Sequence, residues 1–362
     1  MPVPAPSFRP AWWVPGAHAQ TVWGKLFRRP PVQLTRAHTR RLRWETPDGD
    51  FVDVVRLDPA GDAATAPRLL LLHGLEGGLQ SHYVHGLFDV ARARGWGMDL
   101  MLHRTCGEEL NRARRLYHSG ETSDAAFVLE RIAAEFPHAP LGACGVSLGG
   151  NVLLKYLGER GADVPATLRA AVGVSVPYDL ARGSRHIQRG FSRVYERHFL
   201  QSLRRKVESK LLAHPDLVAR ERLTGLRTLY DFDDVVTGPV HGFVDAEDYY
   251  TRSSSKHYLD AVRVPTLLLS AVDDPFLHAD VLDEVRTIAA RNPALSIEFH
   301  ARGGHVGFVG GRLPWRAEWY AERRTAEFLA PHVVPAGASA AVAPAVAPAL
   351  PEVAAAAVGA AR

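Results

Sequence analysis

Three residue types that together can perform nucleophilic catalysis occur here in an informative order. Ser147 lies in Gly145-Val146-Ser147-Leu148-Gly149. A serine in this setting suits a sharp turn from strand to helix, where side chains at Gly145 or Gly149 would collide with neighbouring backbone. LGAC upstream reads as a short strand. NVLLKYLGERG downstream places apolar residues at 152, 153, 154, 156 and 157 and reads as a helix. With 31 glycines in 362 residues the motif alone carries moderate weight, and its partners decide the matter.

A serine hydroxyl is a poor nucleophile at neutral pH unless a base takes its proton during attack. His305, in Gly303-Gly304-His305-Val306-Gly307-Phe308, follows a strand by a few residues and is the expected base. His300 falls within that strand (LSIEFH) and is expected to pack on the sheet face. The acid that orients the imidazole is expected just after the apolar run PTLLLSA, in Val272-Asp273-Asp274-Pro275-Phe276. Asp274, directly before the proline, is the choice; Asp273 is expected to cap the turn or face solvent. The developing oxyanion needs preorganised N–H donors. The amide of Leu148, next after the nucleophile, is one candidate. The second is the amide of Leu75 in the loop after the RLLLLH strand, His73-Gly74-Leu75-Glu76-Gly77-Gly78, with Gly74 as the oxyanion-loop glycine.

These residues require a framework. Segments 68–73, 95–103, 141–146, 265–271 and 295–300 read as buried strands, and 122–136 reads as a helix between the second and third. Alternation of this kind predicts an α/β fold with a mostly parallel, doubly wound sheet. The rhythm breaks over about 176–259, which is polar, helical and rich in arginine (Arg182, Arg185, Arg189, Arg193, Arg197, Arg204, Arg205). Its place between the strand after the nucleophile helix and the strand before the acid predicts a helical cap. Residues 1–36, with Trp12, Trp13 and Trp23 around His18-Ala19-Gln20-Thr21, are too aromatic for a free tail and are expected to pack on a body spanning 37–333. Residues 334–362 are nearly all Ala, Val and Pro, and are expected to be disordered.

Composition limits the rest. A hydrophobic content of 46% supports a large core, and 43 Lys+Arg against 39 Asp+Glu gives no reason to expect nucleic acid as a partner. Only Cys106 and Cys144 are present, so no disulfide framework is expected. The proline-rich start lacks a signal peptide's basic and apolar regions, and no run approaches a membrane span, so a cytoplasmic protein is expected. The Gly74 to Gly78 stretch lacks the Lys-Ser/Thr of a P-loop, and the histidines and cysteines have no metal-site spacing. No cofactor and no metal are implied.

With these pieces in place the chain resembles the YheT-like branch of the α/β-hydrolases over about 8–331. The resemblance rests on HAQTVWG (18–24), LLHGLEGGLQSHY (71–83), RRLYHSGETSD (114–124), GVSLGGNVLLKYLGE (145–159), DFDDVVTGPVHGFVDAEDYY (231–250) and VDDPF (272–276). It implies the α/β-hydrolase fold and hydrolysis of carboxylic esters, with Ser147, Asp274 and His305 as the triad. Two features depart from the family pattern: His103-Arg104-Thr105-Cys106-Gly107 stands where relatives have an Arg-Gly-Cys run, and the Ala/Pro tail has no counterpart. Expected substrates are short- to medium-chain acyl esters or acylglycerols, with Phe191, Phe199, Leu200, Leu203, Phe232, Phe243, Tyr249 and Tyr250 walling an apolar pocket. Thioester or amide hydrolysis and acyl transfer are the alternatives on the same triad. A non-catalytic lipid- or membrane-binding protein is the contrasting class, motivated by the arginine run and the aromatic N-terminal segment. A solvated helical face explains those arginines more simply than peripheral membrane contact. Oligomeric state is not readable.

Overall fold

The structure is a computed structural model that describes residues 8–28 and 39–334. The apolar runs of the sequence become the inner strands of an eight-stranded sheet: β1 (Thr39–Glu45), β2 (Phe51–Leu57), β3 (Arg68–Leu72), β4 (Gly97–Leu102), β5 (Leu141–Val146), β6 (Leu168–Val174), β7 (Thr266–Ala271) and β8 (Leu295–His300). Their spatial order is β1-β2-β4-β3-β5-β6-β7-β8. The pairs β1–β2 and β2–β4 are antiparallel, and every pair from β4 to β8 is parallel. Inner parallel strands are covered on both faces, which is why RLLLL and TLLLSA are unbroken runs buried at every position. At the edge, β8 exposes Ser296 and Ile297 while Leu295 is buried. A two-stranded ribbon follows, β9 (Val309–Gly310) with β10 (Glu318–Trp319).

Helices cover both faces, as a doubly wound sheet requires. They are α2 (His82–Ala93), α3 (Ser123–Glu135), α4 (Leu148–Arg160) and, beyond an insertion, α11 (Ala279–Arg291) and α12 (Tyr320–Val333), while α1 (Gly16–Phe27) packs on α2 and β9. One core lies under α3, α4 and α11, with Leu129, Leu153 and Val285 among its fully buried residues. The other lies under α2 and α12, around Leu87, Phe88 and Leu329.

The insertion runs between β6 and β7 as α5 (Leu180–Ile187), α6 (Ser192–Lys210), α7 (Arg220–Thr224), α8 (Leu229–Phe232), a π-helical turn (Asp233–Thr237), α9 (Gly238–Val240) and α10 (Ala246–Ser253). It has a small core of its own, in which Leu200, Val207, Leu223 and Val236 meet. Arg185, Arg189, Arg193, Arg197 and Arg205 are exposed, and Arg185 pairs with Glu247.

The N-terminal segment contacts the body in its described part: Ala11 and Val14 pack on Val309, and Trp13 meets Trp23 edge to face. Trp12 is 78% exposed. The expectation for the Ala/Pro tail falls outside the described residues beyond Val334. Among the described residues no helix is long and apolar enough to cross a membrane.

Candidate active site

Ser147 caps β5 at the start of α4 with φ 53° and ψ −121°, a left-handed conformation that a serine adopts only under tertiary constraint. Its amide donates to Val174 O at 2.8 Å, which ties the turn to β6. The glycines on either side are required by space. A Cβ on Gly145 would strike Gly149 O, and one on Gly149 would strike Leu72 O.

Two loops at the same end of the sheet supply the partners. The structure brings together Ser147, His305 and Asp274, the three residues expected from sequence. The Ser147 hydroxyl lies 2.9 Å from His305 Nε2, and His305 Nδ1 lies 2.8 Å from Asp274 Oδ2 and 3.1 Å from its Oδ1. With Nδ1–H donating to the carboxylate, Nε2 is left as an acceptor for the serine proton. Asp274 is 2% exposed, His305 is 8% exposed, and the Phe276 ring stacks on the imidazole at 4.1 Å. His300 sits at the end of β8, 3.0 Å from Glu298 Oε1.

Sequence reasoning did not find what holds the histidine loop. Four of its amides are tied to distant side chains: Gly304 N donates to Asp273 Oδ1 (2.9 Å), His305 N to Thr21 Oγ1 (2.9 Å), Val306 N to Ser175 Oγ (3.0 Å) and Val309 N to Gln20 Oε1 (2.7 Å). Asp273 thus binds the loop rather than simply facing solvent. The α1 helix lies so close that a Cβ on Gly304 would meet Ala17 O. The one available signal was polar Gln20-Thr21 inside an aromatic, otherwise packing segment.

The loop after β3 passes over Ser147, with the Cβ position of Gly74 only 3.2 Å from the serine Cβ. Gly74 N donates to Tyr83 OH at 2.9 Å and Glu76 N donates to Tyr117 OH at 2.8 Å, so the amides on both sides of Leu75 are engaged. The amides of Leu75 and Leu148 donate to no group among the described residues. Beneath the loop, His73 Nδ1 donates to Gly74 O (2.8 Å) and His103 Nε2 to His73 O (3.0 Å). Burial holds both imidazoles well below the usual histidine range, His103 at about 4, so they serve as neutral struts. Glu76, at φ 54°, carries the loop to the insertion: its carboxylate accepts from Tyr117 OH and Lys206 Nζ, each at 2.7 Å, and from Ser202 Oγ on α6.

Ser147 opens into a cavity of about 1160 Å³ walled by α1, the β3 loop and the insertion. Phe191, Phe199, Leu203, Phe232, Tyr249 and Tyr250 line it as expected. Leu200 and Phe243 do not. Leu200 is on the side of α6 that faces the insertion's own core, and Phe243 packs edge to face on His118. Among the described residues no group of His, Cys, Asp or Glu is arranged to hold a metal ion.

A serine on a strained elbow, in line with a histidine and a carboxylate at one end of a mostly parallel sheet, defines a class of hydrolase scaffold. The chain belongs to the alpha/beta hydrolase family, whose model, described as the alpha/beta hydrolase fold, matches residues 67–308. It falls in the branch that includes YheT and is esterase- and lipase-like. It is 43% identical to "Putative esterase YheT" of Escherichia coli (strain K12), over 82% of this chain and 85% of that protein. It is 28% identical to "Phospholipase ABHD3" of Mus musculus over 86% and 76% of the two chains, and 30% identical to "Monoacylglycerol lipase" of Saccharomyces cerevisiae over 77% and 62%. Among solved structures, an esterase of Pyrococcus furiosus, Pf2001, superposes with a TM-score of 0.55 at 13% identity, covering 84% of this chain and 97% of that one, which speaks to the fold alone.

Proposed function

We propose that the protein hydrolyses carboxylic esters through an acyl-enzyme, with Ser147 as nucleophile, His305 as general base and acid, and Asp274 as the group that orients the imidazole. The hydrogen-bonded line Ser147 Oγ, His305 Nε2, His305 Nδ1, Asp274 carries this reading. In the first half-reaction Ser147 Oγ bonds to the carbonyl carbon as its proton passes to His305 Nε2. The tetrahedral intermediate collapses, the bond to the leaving alcohol breaks, and His305 returns the proton to the alcohol oxygen. Water, deprotonated by the same nitrogen, then releases the acid and restores Ser147. The free amides of Leu75 and Leu148 are the proposed oxyanion donors; removing one such donor typically costs on the order of 100- to 1000-fold in kcat.

The insertion acts in this reading as the cap of an acyl pocket. The aromatic and aliphatic wall of the cavity favours short- to medium-chain acyl esters or acylglycerols as substrates, in keeping with the lipase and phospholipase names of the relatives. The same serine chemistry would cleave thioesters or amides, and an ester panel with matched thioesters separates these. The test has two parts. A fluorophosphonate probe should label the wild type and not Ser147→Ala, and a p-nitrophenyl ester series from short to long chains should show turnover that Ser147→Ala abolishes. A folded wild type that is neither labelled nor active would refute the proposal.

A further inference from the structure

Asp233 is a partly buried acid in the wall of the active-site cavity that the ester chemistry leaves unused. It opens the π-helical turn Asp233–Thr237, an i to i+5 geometry that is rare and recurs at functional sites. Its two oxygens each accept one hydroxyl, Thr237 Oγ1 at 2.6 Å and Tyr250 OH at 2.7 Å. Among the described residues no Lys, Arg or His neutralises it, and burial raises its carboxyl to about 6. A buried carboxylate is as a rule paired with a cation or saturated with donors, because desolvation costs several kcal/mol otherwise. Here each oxygen has a single side-chain donor among the described residues, which leaves it able to accept another hydrogen bond.

Asp233, Ser184, Thr237 and Tyr250 all belong to the wall of the space onto which Ser147 opens, and Ser184 Oγ lies 3.2 Å from the Tyr250 hydroxyl. Beside the aromatic side chains of Phe232, Tyr249 and Phe199, and apart from polar groups elsewhere on the wall such as Glu76, His82 and His198, the cavity thus holds a cluster of one carboxylate and three hydroxyls. A pure hydrocarbon ligand would leave that patch desolvated and unpaired.

We propose that Asp233, with Ser184 and Tyr250 beside it, forms a polar subsite that takes a hydrogen bond from a free hydroxyl of the substrate. The ester class selected is then one that carries an alcohol group, as a monoacyl ester of a polyol does, in preference to a plain alkyl ester. This rests on the reading of the Ser147 cavity as an ester site. Thr237 and Tyr250 set the carboxylate's orientation, and the substrate hydroxyl supplies the donor that the protein lacks.

The test uses three esters of one acid: monooctanoylglycerol, propyl octanoate and octanoylcholine. A hydrogen bond to a charged acceptor is worth roughly 1.5–3 kcal/mol, about tenfold or more in kcat/KM. Wild type should favour the glyceryl over the propyl ester by about that factor. Asp233→Asn should lower kcat/KM for the glyceryl ester about tenfold more than for the propyl ester. Equal use of the glyceryl and propyl esters by wild type, equal losses in the variant, or preference for the choline ester would each overturn the subsite. Calorimetric titration of Ser147→Ala protein with the same glyceryl and propyl compounds, with and without Asp233→Asn, reads the same preference without turnover. Failure of ester hydrolysis and failure of the subsite are thereby distinguished. If Asp233→Asn does not fold, Ser184→Ala and Tyr250→Phe carry the comparison, with a smaller but still hydroxyl-specific loss expected and none overturning it.

Discussion

Thr21 is in an N-terminal helix far in sequence from the elbow, yet its Oγ1 accepts the His305 amide at 2.9 Å while donating to Ala17 O at 2.8 Å. Thr21→Val retains the side-chain shape and replaces the acceptor with a methyl group. The His305 amide is then buried without a partner, at a cost of about 1–3 kcal/mol. The loop can relieve this only by moving away from α1, which disturbs the 2.9 Å approach of His305 Nε2 to Ser147 Oγ. If the whole cost appears in the transition state, at 1.36 kcal/mol per tenfold, kcat falls about 5- to 150-fold. Thr21→Ser keeps the acceptor and should recover most of the rate. Steady-state kinetics on a p-nitrophenyl ester, alongside thermal melts, measures both variants. A kcat for Thr21→Val within twofold of wild type would show that α1 does not position the histidine. Equal losses for Thr21→Ser and Thr21→Val would refute the role of the hydroxyl.

Other substitutions probe neighbouring parts. Asp274→Asn should lower kcat by about 10⁴, through loss of the acceptor that sets the His305 tautomer, whereas Asp273→Ala, which loses one bond to the Gly304 amide, should cost no more than about tenfold. The reverse order would show the acid to be Asp273. Glu76→Gln leaves Lys206, whose side chain is 19% exposed, without its counter-charge and should destabilise the fold by about 3–5 kcal/mol in chemical denaturation. Adding Lys206→Met should restore most of that, and an unchanged double variant would argue against the pairing. Asp233 contributes a pH signature. Burial holds its folded carboxyl at about 6 against 3.8 for an ordinary aspartate, so its contribution to stability is present at acid pH and is lost as pH rises from about 4 through 6. Asp233→Asn should therefore gain stability relative to wild type across that window, by at most about 3 kcal/mol. A stability difference independent of pH between 4 and 7 would refute the raised carboxyl.

Much of the scaffold was legible in local sequence. Strands β5 and β8 fall on the segments read from sequence, and β3 and β7 fall within a residue of them, because interior parallel strands demand unbroken apolar runs and end at glycine or polar turns. The antiparallel edge was harder. β1, TRRLRWE, sets exposed charge around half-buried Leu42 and buried Trp44, and only its pairing with β2 makes it a strand. The pocket wall was mixed for a similar reason. Phe199 and Leu200 are adjacent on α6, and which of them meets the cavity depends on how that helix is rotated against the insertion's core.

The sequence by itself determined the strand, turn and helix around Ser147, since glycine sterics and apolar periodicity act over a few residues. It also placed Asp274 and His305 in loops that follow strands. Only the tertiary structure decided how these groups meet: Ser147 and His305 are 158 positions apart, and Thr21 lies 284 positions before the amide that it holds. The cross-connections from Tyr83, Tyr117, Ser175 and Lys206, and the place of Asp233 in the cavity wall, have no local signature. Each consists of a few hydrogen bonds or an ion pair between groups whose approach is set by packing of the whole sheet and its helices.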